Sequence, residues 1–267
     1  MSELIPITTL DDSRVSGYRH IAEPAQLLDL GLFVAEGRLV VRRLLDLRQW
    51  PIDSMLMTQP AVESLADVLP RTTAPVYLVD QMLMNEIAGF NIHRGCLALV
   101  RRPPTNTLDR IAAGPLARIL VLEGVSNPDN VGGLFRSAAA FDIELVVLGP
   151  RCGDPLYRKA IRTSMAATLS VPYVKAPQWP GAIRDLRNDG FTTVALTPNR
   201  MAAPLDSVFP HSKLALLVGA EGGGLTTEAL AAATIRIRIP MTPDVDSLNV
   251  TTAASIAMYH CFAERRG

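Results

Sequence analysis

The chain has 267 residues, 48% of them hydrophobic and 19% charged, with Lys+Arg and Asp+Glu balanced at 26 each. This length allows one large domain or two smaller ones, and the apolar content supports a sizeable core and excludes extended disorder. The even charge balance argues against a broadly basic surface, although a local basic groove needs only a few well-placed arginines.

The start of the chain, MSELIPITTLDDSR, has neither the basic nor the apolar region of a signal peptide. No apolar run approaches the ~20 residues of a membrane span, so a cytoplasmic chain that does not engage a membrane is expected. Residues 31–47, GLFVAEGRLVVRRLLDL, place Leu32, Phe33, Leu39, Val40, Leu44 and Leu45 at roughly helical spacing. Short strands are predicted at 53–58, 75–80 and 95–100, with helices at 60–69 and 81–89 between them. This alternation predicts a small α/β layer of helices on a sheet. Its arginines group as Arg42–Arg43 and as Arg94 with Arg101–Arg102. A solvated helix face is the plain alternative for Arg42–Arg43. The chain divides near residues 101–117, where paired prolines, a glycine and turn-forming side chains point to a linker over 106–117 with room for a short helix at 108–113.

Beyond the linker, strands are predicted at 118–124, 143–149, 191–197, 214–220 and 235–240. Helices are predicted at 130–141, 155–167, 179–188, 226–233 and 249–264. Most of these strands are continuously apolar, as expected of a mostly parallel sheet covered on both faces. The three cysteines, Cys96, Cys152 and Cys261, stand far apart with no CxxC or Cys/His spacing, so reduced thiols and no metal site are expected.

Ligands of open α/β sheets bind at the carboxyl ends of the strands, and three unusual loops fall at such ends. In NPDNVGGLFRSAA, Asn130 is expected to cap a helix whose apolar face is Val131, Leu134, Phe135 and Ala138. Arg136 lies off that face. Gly132 and Gly133 allow close approach of a backbone or a phosphate, or simply tight strand–helix packing. In LLVGAEGGGLT, the glycines let backbone groups face a ligand, and Glu221 reads as buried and in need of partners. No Lys-Ser/Thr follows, so this is not a P-loop. In IPMTPDVDSLNVTTAASIAMYHC, Ser247 and Asn249 stand where they can cap the last helix, which is rich in small residues suited to close packing.

In this order, the loops resemble the three motifs of the SpoU/TrmH family of RNA ribose 2′-O-methyltransferases, of the SPOUT superfamily. NPDNVGGLFRSAAAF is similar to the first motif, GAEGGGL to the second and IPMTPDVDSLNVTTAASIAMY to the third. RKAIRTSMAATLSVP (158–172) resembles the intervening segment through Arg162, Ser164 and Met165, with Ala166 where the family commonly has Gly. In the N-terminal half, FVAEGRLVVRRLL and HRGCLALV resemble the substrate-binding domain of many members.

The resemblance implies an N-terminal RNA substrate-binding domain over 1–105 and a catalytic domain over 118–267 with a C-terminal trefoil knot. It implies S-adenosyl-L-methionine as cofactor, held by Leu196, Thr197, Pro198, Gly219, Glu221, Gly224, Ile239, Met241, Ser247, Leu248 and Asn249. It implies RNA as substrate, ribosomal rather than transfer RNA, met by Arg42, Arg43, Arg94, Arg136 and Arg162. It also implies a homodimer.

Methyl transfer from a sulfonium is an in-line displacement in which the acceptor hydroxyl must be aligned and lose its proton. The loops supply no histidine, so the expected catalytic set is Arg136 assisted by Asn130, Ser247 and Asn249. A guanidinium is a poor base. Arg136 would therefore need an altered environment, such as a nearby RNA phosphate, or would bind that phosphate and stabilise a developing alkoxide while water takes the proton. Two other readings stand beside this one: a non-catalytic RNA-binding protein on the same fold, and a nucleotide-dependent oxidoreductase. The second is weakened by glycines that come after the fourth strand instead of the first.

Overall fold

Gly37 decides how the N-terminal half begins. Its φ of +95° lies where L side chains rarely go. The expected helical run over 31–47 is broken there into strand β2 (Leu32–Glu36) and helix α2 (Arg38–Leu47). The helical spacing is real only from residue 38 onward, where Val40, Val41, Leu44 and Leu45 are buried. The structure, a computed structural model, describes residues 3–21, 23–103, 117–208, 212–242 and 244–262. Nearly all of the expected linker, with its short helix, lies outside the described residues, as do the last two positions of the helix expected over 249–264.

Contacts group the chain into two units, one of Met1–Pro104 with Leu156–Leu169 and one of Thr105–Pro155 with Ser170–Gly267. In the first, β1 (Leu4–Pro6) and α1 (Pro24–Asp29) precede β2 and α2. They are followed by β3 (Ile52–Met57), α3 (Gln59–Ser64), β4 (Val76–Leu78), α4 (Gln81–Ala88) and β5 (Cys96–Arg101). The sheet runs β1-β4-β3-β5-β2, with β5 antiparallel to both its neighbours. Its core includes Tyr18, Val34, Leu56, Met84 and Leu97.

The second unit begins with β6 (Arg118–Glu123), α5 (Pro128–Ala140) and β7 (Leu145–Leu148). Helix α6 (Arg158–Thr163) then packs on β2 and belongs to the first unit. There Arg158 bonds Glu36 at 2.6 Å and stacks over Phe90 at 4.4 Å. The second unit resumes with β8 (Tyr173–Lys175), α7 (Gly181–Asn188), β9 (Thr192–Leu196), β10 (Ala203–Pro204) and β11 (Leu214–Gly219). It ends with α8 (Thr227–Ala232), β12 (Ile235–Arg238) and α9 (Val250–Phe262).

Its seven strands, in the order β10-β12-β9-β11-β6-β7-β8, all pair in parallel. The expected α/β class with a mostly parallel sheet is what forms. Ile119, Val121, Ala215 and Leu217 bury one face against α7 and α8. The alternate residues Leu120, Leu122 and Leu216 are equally buried on the other, where α9 packs on β11 and α5. Because the ladder is parallel, β9, β11 and β12 end on the same edge.

The three cysteines are free thiols, and burial pushes Cys96 up to about 12 and Cys261 to about 11. Among the described residues no helix is long and apolar enough to cross a membrane.

Helix α6 ends in a Schellman arrangement, with Ala166 N donating to Ile161 O at 2.9 Å and Met165 N to Arg162 O at 3.1 Å. Met165 and Ala166 are both left-handed, at φ +54° and +68°. Each such L-residue costs about 1–2 kcal/mol. Met165 is 45% exposed, whereas the Ala166 methyl is fully buried and contributes about 0.8 kcal/mol. Met165→Gly should therefore raise the unfolding free energy by about 1 kcal/mol. Ala166→Gly should stay within about 0.5 kcal/mol of the parent, relief and lost burial nearly cancelling. Urea denaturation of the two variants checks both values.

Candidate functional site

Strands β9, β11 and β12 are neighbours in the sheet, and the chain leaves their common edge through three loops. Leu196 ends β9, with Thr197 and Pro198 beyond it. Gly219 ends β11 and opens the glycine loop. Ile239 and Met241 follow β12, and Ser247, Leu248 and Asn249 lead into α9. All of these, with Glu221 and Gly224, line one cavity of about 310 Å³, together with Val218, Ala220, Gly222, Val250 and Ala253. The resemblance placed none of those last five in the cofactor set. A second hollow of about 610 Å³ shares the Leu196–Pro198 wall and adds Asn199, Arg200, Arg238 and Asp246.

The glycine loop is shaped by the absence of side chains. A Cβ on Gly219 would sit 2.1 Å from the Gly224 carbonyl carbon and 2.2 Å from the Leu225 nitrogen. Ala220 and Gly224 bridge across the loop, and Gly224 has φ +66°. Glu221 is exposed, contrary to the burial expected of it, because it stands at the tip of this loop.

One side chain joins the three loops. Asn249 Oδ1 accepts from the backbone nitrogens of Thr251 at 2.9 Å and Thr252 at 3.3 Å, capping α9 as expected. Its Nδ2 donates to Asn130 Oδ1 at 3.0 Å and to Glu221 Oε1 at 2.6 Å. Asn130 is not the cap of α5. Asn127 is, its Oδ1 accepting from Asp129 N at 2.8 Å with Pro128 in the first turn. Asn130 sits one turn further in, buried, and faces Asn249. Ser247 makes no hydrogen bond among the described residues.

Gly133 is bare for packing, not for a phosphate. A Cβ there would meet Thr251 Cγ2 at 2.7 Å, so the glycine lets α5 lie against α9. Ser137 and Ser255 share a 2.7 Å hydroxyl contact along the same seam. Arg136, off this seam, is exposed, lines neither hollow and has no hydrogen bond or ion pair among the described residues.

Of the arginines expected to meet RNA, Arg42 is engaged with Asp67 at 2.6 and 2.9 Å and with Ser64 O at 2.8 Å. The hydrogen bond from Arg42 holds the Asp67 carboxyl below its ordinary range. Arg43 and Arg94 are exposed, with no such bond from their guanidinium groups among the described residues. Arg162 lies 3.8 Å from Glu36. Among the described residues no group of three or more His, Cys, Asp or Glu could hold a metal ion. The sequence reading also passed over Glu123, buried at the end of β6; a lone carboxylate closing the apolar run RILVLE was the available signal.

The profile of the SpoU rRNA Methylase family matches residues 117–259. An "uncharacterized tRNA/rRNA methyltransferase" of Mycobacterium bovis is 41% identical over 256 residues, which cover 93% of this chain and 88% of the relative. In fold, the chain is similar to an AdoMet-bound rRNA methyltransferase from Sinorhizobium meliloti, with TM-score 0.80, 22% identity and coverage of 96% and 97% of the two chains. It is also similar to an RNA 2′-O ribose methyltransferase, with TM-score 0.78, 24% identity and 97% of both chains covered.

Asn249→Asp keeps the acceptor that caps α9 but removes both donor bonds. Its unfolding free energy should stay within about 1 kcal/mol of the parent. Amide hydrogen exchange at 220–224 should accelerate, because the glycine loop loses its tie to α9. Exchange mass spectrometry with urea denaturation reads both, and unchanged exchange would refute the tie.

Proposed function

The chain belongs to the SpoU rRNA methylase family, and from that premise we propose that it transfers methyl from S-adenosyl-L-methionine to a ribose 2′-hydroxyl of RNA, ribosomal in preference to transfer RNA. The observation that carries this reading is the cavity at the ends of β9, β11 and β12, lined by all eleven positions expected to hold the cofactor. Its walls fit the group. Leu196, Ile239, Leu248 and Val250 offer apolar surface to a flat, largely neutral base, and the bare backbone of Gly219, Gly222 and Gly224 offers amide and carbonyl groups. S-adenosyl-L-methionine supplies an electrophilic methyl group on a sulfonium.

The chain's own residues then divide the work. Asn249 orients Glu221 at the cavity rim and Asn130 at the start of α5. Asn130 Nδ2 makes no hydrogen bond among the described residues and remains able to donate to a bound molecule. Arg136, exposed and unpaired among the described residues, is suited to hold an RNA phosphate and to stabilise negative charge developing on the ribose oxygen. The 2′-O position is supported by the resemblance to the SpoU/TrmH motifs and by the name of one structural relative. The preference for ribosomal RNA rests on residues 1–105, taken as a substrate-binding domain joined by the 106–117 linker to a knotted catalytic domain over 118–267. Arg43 and Arg94, whose guanidinium groups are free among the described residues, and Arg162, weakly held by Glu36, are the proposed RNA contacts, and Arg42 would have to leave Asp67 to join them. A homodimer accounts for Arg136 lying outside the cavity, the second copy completing the site.

Arg136→Ala should lower methyl transfer to RNA by about 100-fold or more while cofactor affinity stays within about threefold. Arg136→Lys should fail similarly if a planar, two-pronged phosphate contact is used. A labelled-methyl assay, calorimetric titration of the cofactor and nucleoside analysis of the product test this together. An active alanine variant removes Arg136 from the mechanism, and a base-methylated nucleoside removes the ribose assignment.

A further inference from the structure

Glu123 is the only Asp, Glu, Lys or Arg among the described residues that is buried, at 1% exposure. A buried carboxylate is costly unless its oxygens are met by donors. Here three arrive: Trp179 Nε1 at 2.6 Å and Thr226 Oγ1 at 2.8 Å on Oε1, and Thr226 N at 2.8 Å on Oε2. No lysine or arginine is among them, so the arrangement is not an ion pair.

The partners explain why a carboxylate stands at this position. Thr226 follows the glycine loop directly and caps α8, its Oγ1 also accepting from Ala229 N at 3.2 Å. At the other end of the loop, Gly219 is the residue opposite Glu123 in the β11–β6 ladder. Both ends of the loop 219–225 are therefore referred to one residue, by backbone register at Gly219 and by side chain at Thr226. Trp179 is seated as firmly, since a Cβ on Gly149 would lie 3.0 Å from its ring. Glu123 itself lines neither hollow.

We propose that Glu123 is a positioning residue for cofactor binding: its buried carboxylate clamps the Thr226 end of the glycine loop against the strand whose register already holds the Gly219 end, and so sets the cavity wall formed by Gly219, Glu221 and Gly224. This rests on the reading of that cavity as the cofactor site.

The hydrogen-bond chemistry makes the test directional. In Glu123→Gln, one end of the amide becomes a donor and must face another donor, either Thr226 N–H or Trp179 N–H. Removing the indole N–H with Trp179→Phe relieves the conflict, because the amide oxygen then accepts from Thr226 N while its nitrogen donates to Thr226 Oγ1. By calorimetric titration of S-adenosyl-L-methionine into folded protein, Glu123→Gln should raise Kd about tenfold or more. Trp179→Phe should change it less than about threefold, and the double variant should return to within about threefold of the parent.

Glu123→Gln binding as the parent does, with only its thermal midpoint lowered, overturns the proposal and leaves Glu123 a stability residue. A weak single variant that the second change does not rescue overturns the clamp as drawn. Gly219→Ala, which obstructs the loop directly, separates the premise from the inference. If it too binds normally, the cavity assignment falls and the proposal with it. If it fails to bind while the Glu123 variants bind normally, the proposal alone falls. Should Glu123→Gln not fold, the folded double variant still decides, since the clamp requires it to bind.

Discussion

The site depends on the carboxamide of Asn249 using both of its ends. Its oxygen faces two backbone N–H groups at the start of α9, and its nitrogen faces an asparagine oxygen and a carboxylate. The opposite rotamer would turn an NH₂ toward two donors and an oxygen toward Glu221, so the network itself fixes the orientation. No other small side chain offers an acceptor at the cap and donors one bond away. Serine or aspartate would cap the helix but tie nothing. This one amide turns three loops, distant in sequence, into a single wall.

That wall needs α5 and α9 to keep their spacing, and here the second glycine of the first loop, Gly133, finds its reason. Glycine in a helix costs about 1 kcal/mol relative to alanine. At Gly133 the cost is offset by contact with Thr251, whose Oγ1 also reaches Asn130 O at 3.4 Å. The Ser137–Ser255 contact repeats the close approach one turn on. The small residues of α9, suited to close packing, are in part spent inside the unit, Ala254 and Ala257 being fully buried. Helix packing thus sets the register in which Asn130 and Asn249 meet.

Much of this was legible in the sequence, and the failures have physical causes. The central strands β6, β7, β9 and β11 announce themselves because both faces are covered and their middles, ILVL, LVVL, VAL and LALLV, are continuously apolar. The edge strands β1, β8 and β10 were missed, since two or three residues carry no periodicity. The segment over 31–47 misled because four helically spaced residues follow a strand of like composition, and only the φ of Gly37 marks the join. Eleven positions of the cavity were named through motif resemblance. The cap was misassigned from Asn127 to Asn130, because two asparagines three residues apart both suit the role and only the structure gives the one beyond the proline to Asn249. Glu123 was passed over because its donors lie 56 and 103 residues away.

Charge divides the two proposed ligands. Glu221 is the only charged side chain lining the smaller cavity, and one of its oxygens is already held by Asn249. A sulfonium or ammonium near the remaining oxygen would gain about 1 kcal/mol at ~4 Å in a watery rim. Covering about 200 Å² of apolar surface against Leu196, Ile239 and Leu248 would contribute about 5 kcal/mol. Affinity for the donor therefore comes from the walls, and Glu221 contributes orientation. The arginines proposed to meet RNA lie elsewhere, with Arg136 lining neither hollow. A polyanion meeting Arg136 is thus kept out of a cavity whose only charge is negative, and a cationic donor has no guanidinium to repel it there. Because the proposed donor and RNA seek opposite charges, neither competes for the other's place, and the proposed reaction would fall at the boundary where Asn130 and Asn249 meet.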